Sequence, residues 1–208
     1  MPDRLVILGA GGHGRALIEL VRDLPGLDLV GLVDAAPRGP AMLGVPVLGD
    51  EAVLPGLRAD GVGLACIAIG DATARLAAAA RLEALGFALP ALLHPSVLRA
   101  RSAVVGAGAV VLPRAVLGAL AEVGRLAIVN TGAIVEHDAV VGEAAHIGPG
   151  AVLAGGVRVG ARALVGAGAA CRPHVTIGAD AVVGTGAAVV APVADGQRVG
   201  GVPARVLG

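Results

Sequence analysis

From Val105 onward the apolar residues of this chain recur at two fixed places in every six. The segment divides as VGAGAV, VLPRAV, LGALAE, VGRLAI, VNTGAI, VEHDAV, VGEAAH, IGPGAV, LAGGVR, VGARAL, VGAGAA, CRPHVT, IGADAV, VGTGAA and VVAPVA. The first position is Val, Leu or Ile in every hexad but the one that opens on Cys171; the fifth is Ala or Val in all fifteen, from Ala109 to Val193; the second is glycine in nine. Two earlier stretches, LHPSVL from Leu93 and RARSAV from Arg99, keep the fifth position, although Arg99 breaks the first. Such a repeat predicts a parallel β-helix. The first-position aliphatic points inward, the small fifth residue fits a tightening interior, and the second-position glycines are expected to turn the corners. Three faces per coil make eighteen residues per turn, so residue i+18 stacks on residue i at a strand spacing of ~4.8 Å.

The first ninety or so residues follow another pattern. RLVILGAGGHGRALIELVRDL reads as a strand, a glycine turn and an amphipathic helix, with Gly9, Gly11 and Gly14 satisfying G-x-G-x-x-G. LDLVGLVD gives a second strand ending at Asp34, GVGLACIAIGD a buried third, and ATARLAAAARLEALG a helix closed by Gly86. The prediction is an α/β Rossmann-like N-terminal domain over residues 1–92 and a β-helix over 93–208. The glycine motif suggests NAD, but the stretch is about half the length of a two-halved dinucleotide domain, and His13 sits inside the turn. What the physics supports is a mononucleotide whose phosphates lie at the amino end of the first helix, held by backbone N–H groups and the helix dipole.

Composition narrows the partners. Of 208 residues, 56% are hydrophobic, 34 are glycine and Phe87 is the one aromatic, so small aliphatic side chains must pack in a regular lattice. Runs such as LVILGAGG and LACIAIG are far shorter than the ~20 apolar residues of a membrane span. Asp3 and Arg4 precede the first apolar run, so no signal segment is expected. Sixteen basic and sixteen acidic residues cancel, and no dense basic run points to nucleic acid. Cys66 and Cys171 fit neither a disulfide framework nor a metal cluster. A cytoplasmic location is expected.

The hexads closely resemble those of the left-handed hexapeptide-repeat acyltransferases, and the tail GGVPARVLG, from Gly200, is similar to their Gly-x-Pro-Ala-Arg/Lys exit. The resemblance implies a homotrimer with acyl-CoA in the cleft between neighbouring coils. GAGGHG before a short Rossmann-like unit, then HPSV from His94, then hexads, resembles the bacterial sugar O- and N-acetyltransferases that include the sialic-acid O-acetyltransferase type. Most similar in pattern are the N-acetyltransferases of nucleotide-linked 4-amino sugars, of the bacillosamine and perosamine kind. That resemblance implies acetyl-CoA as co-substrate, with Gly11, Gly12 and His13 near the donor's diphosphate and Asp34, Gly70 and Asp71 facing the nucleoside. Relatives often place a second acid after the one at Asp34; here Ala35 stands. NTGAIVEHDAVVGEAAHIGPGAVLAGG is similar to the relatives' active-site segment. It implies His137 as general base, Asp138 as its carboxylate, Asn130 and His146 lining the acetyl-CoA and substrate site, and Gly155 as donor to the acetyl carbonyl.

The residues themselves support this site. His137 is third in VEHDAV, a corner position, whereas a core histidine would occupy the first or fifth. An imidazole can take the proton of an attacking amine near neutral pH, and either Asp138 or Glu136 could fix its tautomer. Gly155 lies one coil beyond His137, leaving room for a thioester and baring an N–H to its oxyanion. No Cys or Ser adjoins His137, so direct attack is expected, without an acyl-enzyme. His146 lies half a coil on and faces another side; in a trimer, neighbouring chains could bring the two imidazoles together. His94 reads as a junction residue, His174 as an exposed corner and Cys171 as core, and no ligand set for a metal is visible. The expected function is N-acetylation of a nucleotide-activated 4-amino sugar for surface glycans. The alternatives are O-acetylation of sialic acid or another sugar hydroxyl, and a non-catalytic β-helix scaffold with a nucleotide-sensing domain.

Overall fold

The computed structural model describes residues 2–207; Met1 and Gly208, the outer bounds of the two expected domains, lie outside the described residues. The chain divides into two compact units between Leu92 and Leu93. In the first, β1 (Asp3–Leu8) leads into α1 (Gly12–Arg22), then β2 (Leu27–Val33), β3 (Ala41–Met42), β4 (Val45–Gly49), α2 (Leu54–Ala59), β5 (Leu64–Ile67) and α3 (Ala72–Ala84). The sheet order is β3-β4-β2-β1-β5. β1, β2, β4 and β5 run parallel, and β3 adds an antiparallel edge. The β3–β4 hairpin and α2 are absent from the sequence reading. Pro40 and Pro46 flank the two-residue strand β3, whose turn uses Leu43 at φ +50° and Gly44 at φ +79°. Elements this short carry no period to detect.

Two glycines of the first turn have separate structural tasks. Gly9 has φ +109°, and a Cβ there would press on the Ala68 carbonyl at 3.0 Å. A Cβ on Gly14 would stand 2.7 Å from the Gly9 carbonyl, so its absence lets α1 sit close on the strand. Leu17, Ile18 and Leu20 on α1 then bury against a sheet core of Leu5, Ile7 and Leu32.

The second unit is a parallel β-helix of two-residue rungs in three sheets. One sheet runs from Leu98–Arg99 to Ala188–Val189, one from Val104–Val105 to Thr176–Ile177, and one from Leu92–Leu93 to the antiparallel closing strand Arg205–Val206. Rungs pair at the eighteen-residue offset, as in Val116↔Ile134 and Ile134↔Val152. First- and fifth-position side chains fill the interior: Leu117, Val129, Val135, Ile147, Ala133 and Ala145 are each at most 1% exposed. Full burial of each Val, Leu or Ile contributes about 1.5–3 kcal/mol. The thiol of Cys171 joins this core, and burial pushes it up to about 12.

Two details correct the sequence reading. The corners are made at the fourth position, where φ is positive for Gly132 and Gly150 but also for Arg114, Asp138, Ala144 and His174. A non-glycine residue there costs ~1–2 kcal/mol, offset because the N–H it exposes reaches the previous coil, as in Asp138 to the Ala119 carbonyl at 2.9 Å and Ala144 to that of Arg125 at 2.8 Å. The second-position glycines answer a different need. A Cβ on Gly106, Gly118 or Gly142 would stand 2.6 Å from the backbone nitrogen of Arg125, His137 or Ala161 in the next coil. The final hexad is also out of frame: Val193 pairs with Ile177 at an offset of sixteen, so it fills a first-position place and the last coil is two residues short.

Gly142→Ala drives a methyl group into backbone on three sides and should cost stability at the upper end of the roughly 1–3 kcal/mol typical of overpacking. Gly150→Ala, at φ +64° with open space around its Cβ, should cost less, since Ala144 already occupies the equivalent corner. Thermal and urea unfolding of the two variants side by side check the order.

Candidate active site

His137 follows the rung Ile134–Val135 and points out from its corner. Its Nδ1 lies 2.8 Å from Oδ2 of Asp138. Asp138 can turn back onto its neighbour because it occupies the left-handed corner, at φ +59°. Of the two carboxylates left open by the sequence, Asp138 holds the ring, while Glu136 accepts the His137 backbone N–H at 3.2 Å. A proton on Nδ1 toward Asp138 leaves the Nε2 lone pair free. The hydrogen bond that Asp138 accepts from Nδ1, helped by the charges of Asp138 and Glu136, holds the imidazole above its ordinary value against the opposing effect of desolvation.

The Nε2 edge lies against Gly155, one coil on. A Cβ on Gly155 would stand 2.5 Å from both Cε1 and Nε2 of His137, so any larger residue would displace the ring. Gly155 N–H has no acceptor among the described residues, whereas the flanking Ala154 and Gly156 N–H groups donate to the carbonyls of Cys171 and His137. A basic nitrogen and an available N–H donor thus lie side by side. The sequence reading missed a second neighbour. His174 lies eighteen residues beyond Gly156, and a Cβ on Gly156 would run into its Nδ1. The Gly155–Gly156 pair therefore sits between the imidazoles of His137 and His174, and the register that placed Gly155 could have placed His174 too.

Asn130 and His146 meet elsewhere on the β-helix, with Asn130 Nδ2 3.2 Å from His146 Nε2. His146 stands on the rung His146–Ile147, in a different sheet from the rung that leads into His137. Glu143 pairs with Arg125 of the previous coil at 3.0 Å, and His94 Nδ1 binds the Ser96 hydroxyl at 2.7 Å.

In the first unit, α1 begins at Gly12 with no side-chain cap and no acidic residue in its first turn. A Cβ on Gly11 or Gly12 would meet nothing within 4 Å, so the start of α1 borders open space. His13 Nε2 is buried without a hydrogen-bond partner among the described residues. Burial, and secondarily the Arg75 charge, pull His13 down to about 4, so it is neutral at pH 7. Arg75, 1% exposed, is the one charged residue buried among those described, and sequence reasoning missed it. Its guanidinium binds the carbonyls of Ile69 at 2.8 Å and Gly70 at 2.7 Å, bracing the turn that carries Asp71. Asp71 caps α3 through the Ala74 N–H at 2.7 Å. Asp34 accepts the N–H groups of Ala10 at 2.6 Å and Ala36 at 2.8 Å, so its carboxylate ties the glycine turn to the end of β2. Among the described residues, no cluster of three or more His, Cys, Asp or Glu could hold a metal, and no helix is long and apolar enough to cross a membrane.

Comparison with known proteins matches residues 4–82 to the PglD N-terminal domain and residues 138–173 to the bacterial transferase hexapeptide (six repeats). No curated protein matches in sequence. Among solved structures, perosamine N-acetyltransferase from Caulobacter crescentus, as a variant with one histidine replaced by asparagine in complex with CoA and GDP-perosamine, is 42% identical. The match covers 98% of this chain and 96% of that one, with a TM-score of 0.94. The acetyltransferase domain of PglB from Neisseria gonorrhoeae, in complex with acetyl coenzyme A, is 35% identical over 100% of both chains, with a TM-score of 0.94. WeeI from Acinetobacter baumannii is 26% identical over 98% of this chain and 99% of that one, with a TM-score of 0.85. With such identity over nearly the whole of both chains, the chain belongs to the hexapeptide-repeat sugar acetyltransferases that carry a Rossmann-like N-terminal domain and a left-handed β-helix.

Proposed function

We propose that this protein transfers the acetyl group of acetyl-CoA to the 4-amino group of a nucleotide-linked amino sugar, in the cytoplasm, for surface-glycan assembly. The observation that carries the reading is His137, oriented by Asp138 with Nε2 against Gly155, in a chain 42% identical to a perosamine N-acetyltransferase. His137 Nε2 takes the amine proton as nitrogen attacks the thioester carbonyl. Asp138 stabilises the resulting imidazolium, and Gly155 N–H donates to the developing oxyanion. As the C–S bond breaks, the imidazolium returns its proton to the departing thiolate, so His137 ends the cycle neutral. Asn130 and His146 line the same cleft from a neighbouring chain of a homotrimer. Gly11, Gly12 and His13 hold the diphosphate at the start of α1, and Asp34, Gly70 and Asp71 frame the nucleoside from the ends of β2 and β5.

A spectrophotometric assay of CoA release tests the reading, with nucleotide-linked 4-amino sugars set against free sialic acid. Turnover with the former alone is the expected result; turnover with sialic acid alone would favour the hydroxyl acceptor. His137→Ala should lower kcat by ~10²–10⁴-fold.

The pH profile follows from the same site. Only neutral imidazole accepts a proton, and Asp138 raises the pKa of His137, so kcat/KM should climb with pH through an inflection above the ordinary histidine value. Asp138→Asn removes the cause of the rise, and the inflection should move to lower pH while the plateau rate falls.

Gly155→Ala should push the His137 ring aside and lower kcat by ~10²-fold. The unfolding midpoint should hardly move, because the displaced side chain is 60% exposed.

A further inference from the structure

The β3–β4 hairpin closes a cleft of about 230 Å³ within the first unit, next to the turn that opens α1. Ala10 and Arg15 form one side, Arg38 follows β2, and Met42, Leu43 and Val47 of the hairpin form the apolar wall. Arg15 and Arg38 are the two polar side chains on its lining, and no acid lines it. They are also exceptional among the arginines of this unit. Arg4, Arg22, Arg58, Arg75 and Arg81 each bind a carboxylate or a backbone carbonyl, whereas Arg15 and Arg38 make neither contact among the described residues. Two unengaged guanidinium groups thus share one cleft.

We propose that this cleft is a guanine pocket, so that the nucleotide sugar is GDP-linked, with Arg38 reading the N7 and O6 edge of the base. The inference rests on the reading above that the first unit holds a nucleotide sugar by its diphosphate. Phosphates at Gly11 and Gly12 place the ribose between Asp34 at the end of β2 and Gly70 and Asp71 after β5, and let the base run past the end of β2. The cleft beside Ala10 lies there to receive it. Arg15, three residues after the first residue of α1, stands on the phosphate side, and Arg38, beyond β2, on the base side.

The side chains of the cleft donate hydrogen bonds and accept none, which selects among bases. Guanine presents two adjacent acceptors, N7 and O6, and an arginine fork binds both. Adenine offers one acceptor and one donor on that edge. Uracil separates its two carbonyls by the N3–H donor, so a guanidinium reaches one carbonyl at a time and makes no two-pronged contact. Met42, Leu43 and Val47 supply the apolar contact for the ring that aromatic residues supply elsewhere.

Isothermal titration of the full-length protein with GDP, UDP, ADP and 7-deaza-GDP tests this. GDP should bind at least tenfold more tightly than UDP or ADP, and 7-deaza-GDP, which lacks the N7 acceptor, should bind more weakly than GDP. Arg38→Ala should weaken GDP roughly 5- to 150-fold, the range of one bidentate base contact, while changing UDP little; Arg15→Ala should weaken GDP and UDP alike. Both side chains are exposed, and unchanged unfolding midpoints will confirm that the variants fold. UDP binding as tightly as GDP, or an unchanged preference in Arg38→Ala, would overturn the guanine pocket while leaving nucleotide-sugar acetylation standing. If no nucleoside diphosphate binds although acetyl-CoA does, both readings fall.

Discussion

Each coil of the β-helix before the shortened last one pairs its backbone with the next at an offset of eighteen residues, and this register underlies nearly everything else in the second unit. It brings the coils so close at the second position that a Cβ on Gly106 or Gly142 would meet backbone, which explains the glycines there. It stacks valine on valine and alanine on alanine inside, so a core without aromatic residues is still closed. The same register delivers the chemistry. Gly155 is pressed against His137 because it is eighteen residues away, and His174 reaches Gly156 for the same reason. A rigid lattice with one outward residue per step can set a base beside an N–H donor without any loop to order on binding.

Electrostatics then divide the two principal imidazoles. His137 stands in solvent with Asp138 on Nδ1 and is held above its ordinary value. His13 lies largely buried near the Arg75 charge and is pulled down to about 4, so it is neutral at pH 7. Identical side chains thus have their proton affinities shifted in opposite directions by burial and by the sign of the nearest charge. Arg75 is central to the second case. Its guanidinium is deeply buried, and its bonds to the Ile69 and Gly70 carbonyls fix the turn after β5.

Much of this was legible in the chain. The hexads announce a β-helix because one inward aliphatic and one inward small residue per face leave a pattern too long to arise by chance. The corner position of His137 and the spacing to Gly155 follow from the same count. The explanation given for the glycines was wrong although the glycines were correctly placed. Where glycine holds the second position, as at Gly106, Gly118 and Gly142, backbone proximity between coils and not torsional freedom excludes a side chain, and the positive φ falls at the fourth position, on Asp138, Ala144 or Arg114. The fifteenth hexad misled in a similar way, since Val193 satisfies the fifth position by sequence and the first by pairing.

The sequence by itself determined what repeats: the β-helix, its coil length, the inward and outward residues, and the glycine turn before α1. These are local or periodic, so each copy reinforces the reading of the next. Only the tertiary structure decided which carboxylate holds His137, that Asp34 braces the glycine turn, that Arg75 is buried against Ile69 and Gly70, and that Arg15 and Arg38 converge on one cleft behind a two-residue hairpin. Such contacts are made once, between side chains whose directions depend on the packing of neighbouring elements, and a single occurrence leaves no period in the sequence from which it could be read.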